Sequence, residues 1–166
     1  EKALGERAEE AIVENGGDIF VVARDDVVIG LYAGKQHTRL NLGFFVRPSD
    51  TPLSICSSSG MMGHSLSLGA CDLATVVSKS ASLADAAATR AANLVQSTRD
   101  ISRAIETICA IPGVEGVLIV KDGKIGKGGK LPLLVRTDGR DVRSKITRDR
   151  MSSYNGKNFE EKDPEP

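Results

Sequence analysis

The residues best suited to chemistry lie between Ser57 and Thr89, where a serine- and glycine-rich stretch precedes the start of an alanine-rich helix. Residues 57–69 contain five serines, three glycines and His64. Glycine lets a ligand approach the backbone closely, and exposed N–H and hydroxyl groups bind phosphate oxygens. The stretch therefore indicates a nucleotide-like ligand, with His64 as the candidate for proton transfer.

Two familiar motifs are excluded for this stretch, and a purely structural interpretation stays open. It lacks the GK[ST] ending of a P-loop, and Ser67 stands where a nucleophile elbow needs its second glycine. A turn whose hydroxyls bind their own backbone would use the same residue types. His64 in such a turn would be a hydrogen-bonded part of the scaffold.

Asp85 and Thr89 are four residues apart in a predicted helix, so a carboxylate and a hydroxyl share one face. Two such oxygens suit a hard cation such as Mg²⁺. Helix capping is the alternative, because Ser82 would be a good N-cap and Asp85, three residues later, imitates a capping box. Without further information, the residues favour the cap.

The cysteines Cys56, Cys71 and Cys109 are odd in number and form no CxxC pair. A disulfide framework is therefore not expected, and a reducing cytoplasm is the simpler setting. The spacing of Cys56, His64 and Cys71 matches no zinc pattern. We interpret Cys56 and Cys71 as small residues of strands.

Composition indicates one ordinary globular domain, with 166 residues, 40% of them apolar and 27% charged. No apolar run approaches the roughly 20 residues of a membrane-spanning helix, so we expect a soluble chain without membrane contact. Residues 121–150 carry ten bases against four acids, but aromatic residues do not alternate with them. Nucleic acid is therefore not an expected partner.

The hydrophobic pattern predicts a helix, a hairpin, two further strands, two consecutive helices, a second hairpin and a last strand. In chain order they are a helix Lys2–Glu14 capped by Asn15-Gly16-Gly17, a hairpin of Ile19–Ala23 and Val27–Ala33, strands Thr38–Arg47 and Cys71–Val77, helices Ser82–Thr98 and Asp100–Ala110, a hairpin of Val114–Lys121 and Lys124–Gly128, and a strand Leu131–Arg136. This order predicts an α+β fold, an antiparallel sheet with the helix pair packed on one face. We expect residues 1–136 to form one domain that lacks its N-terminal part, and 137–166 to be a charged, partly disordered tail.

Four segments together resemble the bacterial and archaeal family of uncharacterised proteins related to ApbE, the FAD:protein FMN transferase. They are Asn15-Gly16-Gly17-Asp18-Ile19, Cys56-Ser57-Ser58-Ser59-Gly60, Gly63-His64-Ser65 and Ala84-Asp85-Ala86-Ala87-Ala88-Thr89. The resemblance covers roughly residues 10–135. It implies a fold of the T-fold type, FAD as donor, Mg²⁺ as cofactor, and transfer of FMN to a threonine or serine of an acceptor protein.

The same resemblance implies roles for individual residues. Asp85 and Thr89 match the metal-binding pair of the transferases, and His64 becomes the catalytic candidate for proton transfer. The expected flavin or phosphate contacts are Ser58, Ser59, Gly60, Gly63 and Ser65. Two alternatives from other classes stay open: a flavin- or nucleotide-binding relative without catalysis, and a structural homo-oligomer without a ligand.

Overall fold

The structure, a computed structural model, describes residues 9–34, 41–60 and 69–137. These residues form nine strands, two α-helices and a single 3-10 turn, Pro48–Asp50. The strands are β1 Ala11–Asn15, β2 Asp18–Val22, β3 Val27–Leu31, β4 Leu42–Val46, β5 Leu53–Ser58, β6 Leu73–Ser78, β7 Val114–Lys121, β8 Lys124–Gly129 and β9 Leu133–Arg136, and the helices are α1 Ala81–Leu94 and α2 Ile101–Cys109.

The strands divide into two antiparallel sheets. The larger sheet has six strands in the order β1-β2-β5-β6-β7-β8, and the smaller has three in the order β3-β4-β9. Hairpins join β1 to β2 and β7 to β8, the helix pair joins β6 to β7, and the chain between β2 and β5 passes through strands β3 and β4 of the smaller sheet. The predicted α+β class with antiparallel pairing is confirmed.

Three layers follow from the way apolar residues are distributed. Helices α1 and α2 cover one face of the larger sheet through a core rich in alanine, including Ala84, Ala88 and Ala91. The opposite face packs on the smaller sheet through larger side chains such as Phe44 and Leu118. The sequence predicted the helix layer, but it did not predict the second sheet.

The predicted helix Lys2–Glu14 is wrong where the structure describes it, because Ala11–Asn15 is strand β1. Residues 1–8 lie outside the described part of the chain. Gly16 and Gly17 have φ values of 60° and 105°, and Asn15 pairs with Asp18. The two glycines therefore form the tight turn of a β-hairpin instead of a helix cap, since this turn needs positive φ at both positions.

The predicted hairpin of Ile19–Ala23 and Val27–Ala33 is also wrong, although both strands exist. Strand β2 pairs with β1 and β5 in the larger sheet, whereas β3 pairs with β4 in the smaller one. The intervening Arg24-Asp25-Asp26 has no residue with positive φ. The chain therefore crosses between sheets there, and the glycine turn takes the hairpin instead.

The later elements are confirmed with shifted ends. Helix α1 begins at Ala81 with Ser80 as its N-cap, so the expected cap at Ser82 is wrong. The turn between β7 and β8 has Asp122 at φ 49° and Gly123 at φ 73°, as its Asp-Gly sequence predicted. Strand β5 was not predicted as an element, although Cys56 within it was interpreted as a strand residue. No helix among the described residues is long and apolar enough to cross a membrane.

Candidate functional site

The glycine turn between β1 and β2 borders two separate clefts. Its Gly16 and Gly17 line a cleft between the two sheets, which has a volume of about 560 Å³. Asp18, the next residue, lines a cleft of about 250 Å³ between the larger sheet and α1. One turn therefore contributes to both faces of the larger sheet.

The first cleft, here the sheet cleft, has an apolar wall and a polar end. Its aliphatic lining comes from both sheets, and its polar end is formed by the glycine turn and the end of β5. The lining residues are Glu14, Gly16, Gly17, Ile19, Ile29, Gly30, Leu31, Tyr32, Ile55, Ser57, Ser58, Ser59 and Leu73. A volume of roughly 300–1,000 Å³ is usual for a small-molecule site.

The three serines at this polar end differ in their availability to a ligand. The Ser57 and Thr75 hydroxyls share a hydrogen bond of 2.9 Å, and the Ser59 hydroxyl donates to the carbonyl of Cys71 at 3.3 Å. Ser58 is half-buried and pairs with Ala74 of the core beneath the helices, so its side chain lies on the opposite face of β5 from Ser57. The hydroxyls of Ser57 and Ser59 are therefore already engaged within the protein, and the hydroxyl of Ser58 points away from the face on which Ser57 meets Thr75.

The second cleft, here the carboxylate cleft, brings two acids together. It is lined by Val13, Asp18, Ile19, Phe20, Cys56, Ala81, Ser82 and Asp85. Partial burial raises the pKa of the Asp18 carboxyl, and repulsion from Asp85 raises this pKa further, while the neighbouring Cys56 thiol partly opposes both effects. The two carboxylates are thus close enough to repel each other.

Asp85 and Ser58–Ser59, which the sequence joined into one candidate site, do not line the same cleft. Ile55 belongs to the core between the sheets and lines the sheet cleft, whereas Cys56 belongs to the helix-side core and lines the carboxylate cleft. Successive residues of a strand point to opposite faces. The strands β2 and β5 therefore separate the two clefts, and Ile19 lines both.

Thr89 lies one helical turn beyond Asp85 and is exposed. It is not among the described residues that line the carboxylate cleft. The described chain contains no group of three His, Cys, Asp or Glu residues placed to hold a metal ion. Asp18 and Asp85 can therefore supply two carboxylates, with further ligands from a bound molecule, as is usual for Mg²⁺.

Residues 61–68, which include Gly63, His64 and Ser65, lie outside the described residues. Gly60 and Gly69, on either side of this segment, pack directly against each other, and Gly69 packs on the Ala92 carbonyl of α1. The Gly60 N–H donates to the Cys71 carbonyl at 2.8 Å. Gly60 is thus required for close backbone packing, and it is not among the residues that line the sheet cleft.

Asp18 is the site residue that the sequence analysis missed. It lies within the Asn15–Ile19 segment, whose two glycines the hydrophobic pattern before them assigned to a helix cap. The signal was available, since a Gly-Gly pair between apolar runs also predicts a hairpin. A hairpin would have placed Asp18 at the start of a strand.

The cysteines fit the interpretation as small residues of the sheet region. Cys56 lies within β5, Cys71 precedes β6 by two residues, and both are buried. Burial raises the pKa of each of these thiols to about 12. Neither is therefore a thiolate at neutral pH.

Known proteins resemble most of the chain. A family model described as "AbpE bacteria" matches residues 1–124. The UPF0280 protein of Methanobrevibacter smithii is 40% identical over 144 residues, covering 84% of this chain and 60% of that protein. The UPF0280 protein of Methanococcus vannielii is 39% identical over 143 residues, covering 84% and 58%.

A third relative, the UPF0280 protein of Methanocaldococcus jannaschii, is 40% identical over 138 residues, covering 80% of this chain and 57% of that protein. The chain thus spans less than two thirds of the length of these relatives. The family match extends from the first residue through β7, and so includes both clefts. The chain therefore belongs to the AbpE bacteria family.

Proposed function

We propose that this protein binds FAD with Mg²⁺ and transfers FMN from it to a threonine or serine of an acceptor protein. The main support for the proposal is the glycine turn between β1 and β2, which borders both clefts. Gly16 and Gly17 border a cleft large enough for a small-molecule ligand, and Asp18 borders the carboxylate cleft on the other face. A ligand with both a ring and phosphates could use the two clefts around this turn.

The donor set of the carboxylate cleft fits a divalent cation. Asp18 and Asp85 repel each other, and a cation between them would remove the repulsion that raises the pKa of Asp18. Mg²⁺ commonly takes one or two carboxylates and completes its shell with phosphates and water. When bound, it would neutralise charge on the pyrophosphate.

The proposed reaction balances without a further reactant. The acceptor oxygen forms a bond to the phosphorus of FMN, while the bond from that phosphorus to the bridging oxygen breaks. AMP leaves with the bridging oxygen, and the acceptor proton passes to a base, for which His64 is the candidate. The FMN would then be joined to the acceptor by a phosphoester.

Binding without catalysis is the second candidate, and the position of Thr89 favours it. In the family resemblance Thr89 binds the metal with Asp85, whereas here it is not among the residues that line the carboxylate cleft. A relative that kept the sheet cleft but lost a complete metal site would bind flavin and leave it intact.

The T-fold type of fold is part of the transferase proposal. An experimental structure of the protein with FAD would test this assignment.

The test is to incubate the purified chain with FAD, Mg²⁺ and dialysed cell-extract protein as the source of acceptor hydroxyls, and to measure AMP by chromatography and protein-linked flavin by gel fluorescence. We expect Mg²⁺-dependent AMP release that Asp18→Asn and Asp85→Asn each abolish. Glu106→Gln is the matched control, because it removes an equal charge from an exposed helix position outside both clefts.

Each other outcome has a definite meaning. FAD binding without AMP release, in this chain and in the longer Methanobrevibacter smithii protein, would reject the transferase and support the binding protein. No binding of FAD by either protein would reject both and leave a structural role.

A further inference from the structure

We propose that the outer edge of strand β1 receives an extended segment of the acceptor protein, and that the acceptor hydroxyl reaches the carboxylate cleft from this segment. Binding of this kind adds one strand to the larger sheet through main-chain hydrogen bonds. The acceptor role rests on the proposed function, whereas the binding of a strand to β1 does not.

Strand β1 is an outer strand of the larger sheet, and β2 is its partner among the described strands. An outer strand presents a row of backbone N–H and C=O groups that its one neighbour does not use. The two-residue turn Gly16-Gly17 makes its flanking residues, Asn15 and Asp18, a hydrogen-bonded pair, and such pairs alternate along the strand. The backbone groups of Glu14 and Ile12 therefore point away from β2.

The side chains of β1 are also open to a partner. Ile12 and Val13 are 52% and 54% exposed, and Glu14 is exposed too. Strand β8, the outer strand at the other end of the sheet, carries Lys124 and Lys127, and lysines on an outer strand disfavour the addition of another. The adjacent β-branched residues of β1 instead suit pairing with a further strand.

The residues of β1 lie beside both clefts. Val13 pairs with Phe20 and lines the carboxylate cleft. Glu14 pairs with Ile19 and lines the sheet cleft. Directly paired residues share a face, so a hydroxyl opposite Val13 in an added strand would lie on the side of the carboxylate cleft. Strands lie about 4.8 Å apart, so the added strand would lie about 10 Å from β2, which leaves room for a cation and a phosphate.

The charges near β1 indicate what kind of segment it binds. Glu10 precedes β1 and Glu14 lies within it, both are exposed, and neither forms an ion pair with another described residue. Glu9 differs, because it pairs with Arg24. In an added strand, the neighbours of a residue opposite Val13 lie on the face of Glu14. A segment with lysine or arginine next to its serine or threonine therefore complements this edge.

The probe is the capped peptide Lys-Val-Lys-Thr-Lys-Val-Lys, whose threonine and valines would share one face of an added strand and whose lysines would share the other. The control peptide has proline in place of both valines, which disfavours strand pairing. Calorimetry measures the affinity of each peptide for the full chain. Amide hydrogen exchange, resolved by residue, shows which backbone N–H groups the peptide covers.

We expect the valine peptide to bind and to slow exchange of the Ile12 and Glu14 amides, and the proline peptide to bind about tenfold more weakly or less. Ile12→Pro should weaken binding of the valine peptide to a similar extent, because proline removes an N–H that faces the outer edge and none that bonds to β2. Ile12→Val is the matched control and should bind as the natural protein does.

Thermal unfolding shows whether each variant is folded. Glu14→Lys is a second variant that keeps the backbone of β1 intact. It should weaken binding of the lysine-containing peptide, because it replaces an attraction by a repulsion.

Four results would overturn strand addition at β1. They are slowed exchange in β3 or β8 in place of β1, equal binding of the two peptides, no binding of either peptide to the folded protein, and protection of the corresponding amides in the longer Methanobrevibacter smithii protein without peptide. In the last case that protein's own chain would occupy the edge.

Failure of the proposed function gives a different result. The peptide would then bind β1 but accept no FMN in the presence of FAD and Mg²⁺. Conversely, FMN transfer to cell-extract proteins that Ile12→Pro leaves unchanged would support the transferase and reject β1 as the place where the acceptor binds.

Discussion

Asp85 on helix α1 faces Asp18 at the start of strand β2 across a single cleft, and partial burial together with repulsion from Asp85 raises the pKa of Asp18. Asp18 is in this position because Gly16 and Gly17 turn the chain tightly from β1 into β2. The pairing of Asp18 with Cys56 then fixes the strand beside α1. The acidic pair thus follows from the geometry of a hairpin.

The raised pKa predicts a pH dependence of stability. In the unfolded chain Asp18 loses its proton near the ordinary value of 3.8, whereas the folded protein keeps the proton to a higher pH. Because the folded state binds more protons between these two values, stability falls as pH rises through that window. Above the folded pKa the loss is complete and constant.

Asp18→Asn should remove this dependence. We expect the free energy of unfolding of the variant, minus that of the natural protein, to increase as pH rises above the ordinary value of 3.8 and then to become constant. Urea unfolding at several pH values measures it, and Glu106→Gln is the control. A difference that stays constant or decreases with pH would show that the folded-state pKa of Asp18 is not raised.

The N-cap of α1 provides a second prediction, because Ser80 has the capping role that the sequence suggested for Ser82. The Ser80 hydroxyl accepts from the Leu83 N–H at 3.4 Å, and Asp85 is the fifth residue of the helix, outside its first turn. Ser80→Ala should therefore cost about 1 kcal/mol. Ser82→Ala should change stability by less than about 0.5 kcal/mol.

Urea denaturation of both variants distinguishes the two caps. A larger loss in Ser82→Ala than in Ser80→Ala would mean that the helix begins later and that Asp85 belongs to a capping box. If Ser80 is the cap, Asp85 has no part in capping the helix. A loss of cation binding in Asp85→Asn would then come from the lost carboxylate and not from a weakened helix.

Sequence patterns predicted the second half of the fold well because its signals are local. Asp122-Gly123 fixes its hairpin through positive φ, and Ile101, Ala104 and Ile108 show the helical spacing that buries them in the core. The first half depends on pairing between distant strands. The apolar strands β2 and β3 look alike in sequence, so nothing local indicates that they belong to different sheets.

The candidate site was predicted in part for the same reason. Asp85 and Ser58 were recognised by type and motif, and both line clefts. Their separation by β2 and β5 could not be predicted, because strand β5 itself was missed. A strand ending at Ser58 places Ser57 and Cys56 on opposite faces, and this alternation divides the two clefts.

A substitution at Gly69 tests the close packing at the end of the serine- and glycine-rich stretch. A Cβ atom at this position would overlap the Ala92 carbonyl of α1. Gly69→Ala should therefore destabilise the protein by about 1–3 kcal/mol, the usual cost of overpacking. Gly30→Ala is the matched control, since a Cβ atom at position 30 would meet nothing within 4 Å. Urea unfolding measures the stability of both variants. A Gly69→Ala variant as stable as the natural protein would contradict the close packing.

The three cysteines should differ in reactivity according to their burial. Cys56 and Cys71 are buried with thiol pKa values of about 12. Cys109 is only half-buried, and burial raises its pKa as well. At about pH 8 the buried pair would hold roughly one thiolate in ten thousand. Native protein treated with Ellman's reagent should therefore show Cys109 reacting first, and Cys109→Ser should remove that phase.

Unfolding supplies the control for this assay, because all three thiols should react rapidly in concentrated urea. The buried pair should react in the native protein only at the rate of unfolding, so their reaction should slow under conditions that stabilise the fold. If Cys56 reacted as fast as Cys109 in native protein, the carboxylate cleft would admit the reagent past Asp18 and Asp85. The burial that raises the pKa of Cys56 would then be wrong, because a thiol that the reagent reaches in the folded protein is not withdrawn from water.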